Sequence, residues 1–490
     1  MEAAVGSGLS PGVRVMSRHL VKASHPSTEP HVLAVSNIDL FYNSVQAFVV
    51  CVYPKPTTGD FNTVVAAFET HLPAFLNYFP QAAGRIVADP RSGIPEIQCY
   101  NQGAELIVGD AGVELGALDW GQSEASLKMM VVPFGQELAL SLQLMSFTCG
   151  GFSLVWGLNN MVGDGSTAVL LMRTWSELVR SSGTSIISGG GGAPHHDRSS
   201  ALGSLRPRVP PSYGSMVEGM YTRWDDEHEV NALTAEESFV ERLYYVEERD
   251  IAMLRKEAAG GGGETGTGNA TRVQAVSAYL WKALAGVVGA SKLLAEEEEK
   301  RCRMLWWVDG RHRLSSPELR SSLRDYTGTM TTYVLADEAV GTVLAKPLAG
   351  VAAMVREAIT SVDYDELYKQ MVDWMEVHKH KAQPPKFSET PSFGLGSPTL
   401  GQTIWVSFPG DTDFGFGTAA LAVPVHHNLG RFCMGFLGIS AKPADPGTWI
   451  LTAFIWPRLA AALEADDRRI FKPLTAEYLG LTRATTTSRL

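Results

Sequence analysis

The chain has 490 residues, a formal net charge of −11, 45% hydrophobic residues and 19% charged ones. Such a length allows two or three domains, each with its own core, and the composition is that of a soluble globular chain. The acidic balance argues against nucleic acid as a partner, because a phosphate backbone needs a basic surface; a small anionic ligand needs only a local basic patch.

The N-terminal "MEAAVGSGLSPG" has no apolar stretch of the secretory kind. Residues 1–15 read as a loose tail, with Met16 as an alternative start, and a first domain is expected over residues 16–180. Within it "LALSLQLMSF" sets Leu138, Leu140, Leu142 and Leu144 at every second position, the period of a half-buried strand. "CGG" at Cys149 turns the chain, and "FSLVWGL" follows as a second strand. After the loop "GLNNMVGDGST" (residues 157–167) comes a helix. Its Ala168, Leu171, Met172, Trp175, Leu178 and Val179 share one face, and Ser166 is placed to cap it. Gly, Ser and Pro crowd residues 181–215, which read as a crossover linker. A second domain is expected over 216–480. There Val273, Val276, Leu280 and Leu284 mark another helix, and "CRMLWWVDGRHR" is an apolar strand running into a basic turn. Residues 260–269 and 296–300 read as solvated loops or helix ends, and 481–490 as a free tail. The result is a mixed α/β protein with no solenoid repeat.

Several features read as ordinary. The five cysteines are scattered and odd in number, without a CxxC pair, which implies a reducing compartment rather than a disulfide framework or zinc site. No apolar run reaches about 18 residues, so no membrane span is expected. The Gly-rich run at 260–269 lacks the Gly-Lys-Ser/Thr ending of a phosphate cradle. The sequon at Asn269 means little without a secretory signal. His195 with His196, and His426 with His427, are adjacent pairs that point opposite ways on a strand, so no metal site is expected.

The loop at 157–167 is different. A strand, a loop with a polar residue, an acid and a glycine, then a capped helix place side chains where a substrate can reach them. A second stretch, "FPGDTDFGFGTA" (residues 408–419), sets an acid before glycines that alternate with aromatics, as a tight bend with close backbone approach requires. Together these resemble the two signature motifs of the BAHD acyltransferases, His-x-x-x-Asp-Gly and Asp-Phe-Gly-Trp-Gly. "VSNIDLF" is similar to that family's Leu-Ser-x-x-Asp segment, and "YFPQAAGRI" to its Pro-x-Ala-Gly-Arg turn. "CGGFSL", "VQAVSAYLWKAL" and "VDGRHRL" follow in the family's order. The resemblance spans nearly all of the chain from about Met16 to Gly480.

The resemblance implies a chloramphenicol-acetyltransferase-like α/β fold: two similar mixed α/β domains with a channel at their interface. It implies acyl-CoA as co-substrate, no permanently bound cofactor, no metal, and a monomer acting on a small molecule rather than on nucleic acid or a membrane. Carried over by position, Asp164 is a structural acid whose partner is Arg311 or Arg313. Asp413, Gly415 and Gly417 form the second structural motif. Asp39, Trp405 and Phe416 would face the substrate, and Arg272, Ser277 and Lys282 the phosphates of coenzyme A. Asn160 stands where the family has its general-base histidine, and Phe416 replaces its tryptophan. An amide has no proton to exchange near neutral pH, and losing a base costs about 10²–10⁴ in rate. Two readings follow. One is an acyltransferase moving an acyl group, aromatic as in benzoyl or hydroxycinnamoyl, to an amine or hydroxyl of a small plant metabolite. The other is a degenerate relative that binds acyl-CoA, a small molecule or a protein without turnover.

The expected location is the cytoplasm, with the peroxisome as an alternative, since Ser488-Arg489-Leu490 is similar to the Ser-Lys-Leu address. A fluorescent protein fused to the N-terminus should mark punctate organelles if that tail is read. A pattern unchanged by deleting the last three residues excludes the address.

Overall fold

The computed structural model describes residues 12–25, 29–42, 45–180, 194–203, 205–221, 231, 233–234, 238–260, 270–291, 299–379, 397–406, 412–426 and 434–482. Asn269, His427, Cys433 and Ser488-Arg489-Leu490 lie outside them, as do most of the loop at 260–269 and residues 296–298.

Sixteen strands run through the described residues: β1 (Arg14–Val21), β2 (His31–Ala34), β3 (Gln46–Tyr53), β4 (Arg85–Ala88), β5 (Pro95–Cys99), β6 (Ala104–Asp110), β7 (Leu140–Ser146), β8 (Phe152–Asn159), β9 (Val240–Val246), β10 (Arg301–Asp309), β11 (Thr331–Ala339), β12 (Thr399–Ile404), β13 (Leu421–His426), β14 (Gly435–Lys442), β15 (Asp445–Ile455) and β16 (Lys472–Pro473). They form a six-stranded sheet in the order β1-β6-β7-β8-β3-β13, a seven-stranded sheet in the order β11-β10-β12-β14-β15-β9-β16, and a small sheet β2-β5-β4. Both large sheets are mixed: β6 lies parallel to β7, β12 lies parallel to β10 and β14, and the other pairs are antiparallel. This is the two-sheet α/β architecture that the resemblance implies.

The alternating leucines of β7 do form a strand, but nearly every residue of β7 and β8 is buried, so the pair is central rather than half-exposed. The helix Gly165–Arg180 covers one face of this sheet, packing Leu171, Trp175 and Leu178 against Phe68 and Phe75 of the helix Phe61–Phe75. In the second half the helix Arg272–Ala290 begins at a reciprocal capping box between Thr271 and Gln274. Its Ala275, Leu280, Leu284 and Val288 pack on Met304 and Trp306 of β10. By length and composition this helix matches a bilayer span, yet just over half of it is buried inside the protein.

Four sequence expectations need correction. First, the tail does not extend to residue 15: β1 starts at Arg14 and pairs with β6 from Asp110 onward. It is an edge strand with mostly exposed side chains, so hydrophobic alternation does not announce it. Second, the sheets do not follow the linker boundary: β13, from the second half, closes the first sheet by pairing with β3. Val423 and Val425 thereby join Val50, Val52, Leu243 and Ile450 in a core between the two sheets. Third, Leu481 is buried and belongs to that core rather than to a free tail. Fourth, the linker is packed from residue 194. His195 bonds the backbone of Asp325 and Thr327, and Ala201, Leu202 and Leu205 are buried in the second core.

His196 in this crossover lies against the Tyr78 carbonyl (2.8 Å), Thr327 Oγ1 (2.7 Å) and Gln81 Nε2 (3.0 Å). Burial pushes its imidazole down to about 4, with the nearby Arg198 charge acting in the same direction and the Tyr78 carbonyl against it. The unfolded chain therefore takes up a proton at about pH 6.5 that the folded chain refuses until about pH 4. The stability from the neutral ring is fully present above about pH 6.5 and is lost as pH falls toward about 4, about 3 kcal/mol in all. Urea unfolding at pH 7.5 and 4.5 should show a smaller acid loss in His196→Gln than in the parent.

Candidate active site

The loop after β8 is fixed from both sides. Its backbone is tied first: Asn160 N–H donates to the Val45 carbonyl (2.8 Å), and Thr329 Oγ1 donates to the Asn160 carbonyl (2.8 Å). The carboxylate of Asp164 then turns away from solvent and accepts five hydrogen bonds. Arg311 gives two, Nη1 to Oδ2 at 2.8 Å and Nη2 to Oδ1 at 3.1 Å. Met330 N (2.9 Å), Thr331 Oγ1 (3.2 Å) and Thr167 N (3.3 Å) give the rest. The bond from Thr167 N makes Asp164 the cap of the helix at 165–180. Ser166 does not cap it: its hydroxyl reaches across to Asp309 Oδ2 at 2.6 Å.

Arg311, not Arg313, is the partner of Asp164. Burial works against the Arg311 charge, but Asp164 and Asp309 outweigh it and hold the guanidinium above its ordinary value. Arg313 is exposed and lies 5.8 Å from the ring centre of Tyr364.

A second buried pair braces the same loop. Asp39 has no exposed surface and accepts from Arg198 Nε (2.7 Å), Thr329 N (2.9 Å) and Ser36. Arg198 Nη2 also donates to the Met161 carbonyl at 3.0 Å. Asp39 is therefore a structural residue, contrary to its expected place at the substrate. Arg198 escaped sequence reasoning because it follows a Gly-rich run with no local pattern of its own.

Between the two sheets lies a cavity of about 160 Å³. Ala47, Val49, Trp156, Leu158 and Asn160 line it from the first sheet and its loop; Trp307, Thr331, Tyr333, Thr403 and Phe436 do so from the second. Trp405 lines it as expected. Its ring lies so close to Gly165 that a Cβ there would sit 2.8 Å from it, so the motif glycine is required by contact. Phe41 and Tyr42 also reach the cavity, two and three residues after Asp39, a proximity that sequence reading passed over. The carboxamide of Asn160 makes no hydrogen bond among the described residues. Among the described residues of this wall the ionisable side chains are Asp164, already paired, and Tyr42, Tyr221 and Tyr333. Burial raises all three phenols, with Asp164 adding to the effect on Tyr42.

The second motif lies elsewhere. Gly415 and Gly417 have φ of 88° and 102°, and both N–H groups donate to Asp413 Oδ1, at 3.0 and 3.3 Å. The turn is held on the first domain by Thr57 N to the Phe416 carbonyl (3.1 Å) and Ser176 Oγ to the Asp413 carbonyl (3.0 Å). Phe416 packs edge-on against Phe152 and does not line the cavity, so it is a core residue rather than a substrate contact.

The expected phosphate ligands are not brought together. Ser277 is fully buried, bonding Gln402 Oε1 (2.9 Å) and Trp306 Nε1 (3.1 Å). Lys282 Nζ donates to the carbonyls of Val343, Leu344 and Lys346, capping the helix Val340–Ala345 with all three of its protons. Arg272 alone of the three is exposed.

Comparison with known proteins agrees with this frame. A model of the Transferase family matches residues 12–458. Putrescine hydroxycinnamoyltransferase 3 of Oryza sativa subsp. japonica is 24% identical over 84% of this chain and 90% of its own. Fatty alcohol:caffeoyl-CoA acyltransferase of Arabidopsis thaliana is 25% identical over 71% of this chain and 74% of its own. The crystal structure of vinorine synthase superposes with a TM-score of 0.62 over 96% of this chain and 98% of that one, at 16% identity. F. graminearum TRI101, solved with coenzyme A and deoxynivalenol, gives 0.69 over 90% and 99%, at 15% identity.

Replacing Asp164 by Ala leaves Arg311 buried with one acidic partner fewer, and should cost about 3–5 kcal/mol of unfolding free energy. Arg313→Ala should stay within about 0.5 kcal/mol of the parent. Chemical denaturation of the two variants checks the assignment.

Proposed function

We infer that this chain, which belongs to the Transferase family of BAHD acyltransferases, transfers an acyl group other than an amino-acyl group from coenzyme A to a small acceptor. The observation that carries the reading is the cavity between the sheets, with position 160 on its wall and Asp164 pinned behind it. For the donor we favour an aromatic acyl group. The walls bear Trp156, Trp307, Trp405 and Phe436, and the relatives are named for caffeoyl and hydroxycinnamoyl donors. Flat aromatic walls suit a flat acyl group. No permanently bound cofactor is needed, and the reading is of a monomer working in the cytoplasm.

The acceptor is an amine or a hydroxyl, and the wall favours the amine. A neutral amine attacks the thioester carbonyl through its own lone pair. The C–N bond forms, the C–S bond breaks, and the nitrogen's proton leaves with the coenzyme A thiolate as free thiol. A hydroxyl needs its proton removed during attack, and among the described lining residues no group is free to take it. Asn160 can accept a hydrogen bond from the acceptor and hold it in line.

The test is release of coenzyme A thiol from benzoyl- and hydroxycinnamoyl-CoA with amine and alcohol acceptors. Asn160→His should raise turnover at saturation for alcohols, on the order of a hundredfold, and much less for amines. It should also add a pH step near the ordinary imidazole value of about 6.5. Binding of acyl-CoA without thiol release from parent or variant would instead establish the non-catalytic reading.

A further inference from the structure

A second, larger cavity of about 440 Å³ adjoins the one that holds Asn160. The two share a wall formed by Met220 and Tyr333, which line both. Tyr333 closes that wall by donating its phenol proton to the Met220 carbonyl at 2.6 Å. Beyond it the described lining is mainly apolar: Val334, Leu335, Ala358, Val362 and Leu367, from β11 and from the helices Leu348–Thr360 and Tyr364–His378 and the turn between them. The one charged residue among those described in the lining, Arg303, is paired with Asp337 at 2.7 Å. At the mouth two large apolar side chains stand in solvent, Met216 at 57% and Leu335 at 43% exposed. Exposed apolar groups that rim an apolar cavity mark a place where apolar ligand surface is buried.

From this arrangement we propose that the second cavity is a chain-holding chamber of the acyl-transfer site. It takes the alkyl tail of a substrate whose reacting end lies beside Asn160, and the Met220 side chain is the door between the two spaces. The proposal rests on the acyl-transfer reading for what happens at the reacting end. The chamber itself rests on geometry alone. A wall built of methionine suits the role, because an unbranched thioether with three rotatable bonds can swing aside and still fill the gap when no tail is present. The chemistry asked of the ligand is a flexible alkyl chain with no charge, since the lining offers no unpaired charge among the described residues. The tail can belong to the acceptor or to the acyl group, and the two arms of the test tell them apart.

In the first arm benzoyl-CoA is the donor and the acceptors are n-alkylamines from butylamine to decylamine. In the second, butylamine is the acceptor and the donors are saturated acyl-CoAs from butanoyl to dodecanoyl. In one arm kcat/KM should rise about fourfold per added methylene until the chamber is full, the factor expected for burying a CH₂ group. Ala358→Phe narrows the chamber from inside, and Leu335→Glu places a charge at its mouth, on an exposed position that does not threaten folding. Both should abolish the gain with length and leave butylamine turnover with benzoyl-CoA unchanged. A flat response to chain length in both arms overturns the proposal, as does a rise that persists in both variants. Calorimetry with octan-1-ol alone separates the chamber from the chemistry. Octanol binding that the two variants abolish upholds the chamber even if no acyl-CoA is turned over, in which case only the acyl-transfer reading falls. Where no acyl-CoA is turned over, absence of octanol binding overturns the chamber.

Discussion

The carboxylate of Asp164 holds the two halves of the molecule in register. It belongs to the loop that leaves β8 of the first sheet, and its main partners belong to the second: Arg311 just past β10, Met330 and Thr331 at the start of β11. Taking a carboxylate and a guanidinium out of water is expensive, and attraction between them repays the cost only when the remaining lone pairs and protons are also satisfied. Here that condition is largely met. Five donors surround Asp164, while Arg311 also reaches Asp309 at 3.1 Å and the Gly328 carbonyl at 2.7 Å. A pair that is tolerable only in one geometry fixes that geometry. The walls contributed by the two sheets are therefore positioned by a single polar cluster rather than by apolar packing alone.

Asp39 and Arg198 extend the cluster on the other side of the loop. The crossover chain thereby reaches under the reacting position, and Thr329 joins the two acids: its N–H goes to Asp39 and its hydroxyl to the Asn160 carbonyl. None of these contacts involves the side chain of residue 160. The frame around that residue is held by its backbone and its neighbours, so the loop's anchors do not depend on which side chain stands at position 160. A change of side chain at position 160 is thus compatible with an intact fold.

How far the sequence could be read follows from which interactions are local. The strands β7 and β8, the helices at 165–180 and 272–290, and the bend at Asp413 announce themselves by period or glycine placement, and all are present. Asp164 was recognisable through the motif, yet its choice between Arg311 and Arg313 was not, because both sit in one short basic turn and only tertiary contact separates them. Ser277 and Lys282 were misread for a related reason. A serine or lysine on a helix looks available until Gln402 or the end of the helix Val340–Ala345 occupies it. Arg198 and β1 carry no local pattern, the first isolated beyond glycines and the second an exposed edge held by its backbone ladder. The closure of the first sheet by β13 is a pairing across more than 360 residues and leaves no periodic trace.

The burial that pins Asp164 has a further consequence for the acceptor. With its lone pairs engaged by five donors, the one carboxylate among the described residues of the cavity wall is unavailable both as a base and as a counter-ion for a cation. An alkylammonium entering this aromatic space loses hydration without gaining an anion, and desolvation lowers the pKa of such a group. For the proposed reaction such a wall favours the neutral amine, the form that can attack a thioester. A neutral alcohol gains nothing comparable, since lowering the dielectric around it makes the alkoxide harder to reach. In the acyl transfer proposed above, the same polar cluster that locks the sheets together would favour nitrogen over oxygen, because it engages the one carboxylate described on the cavity wall.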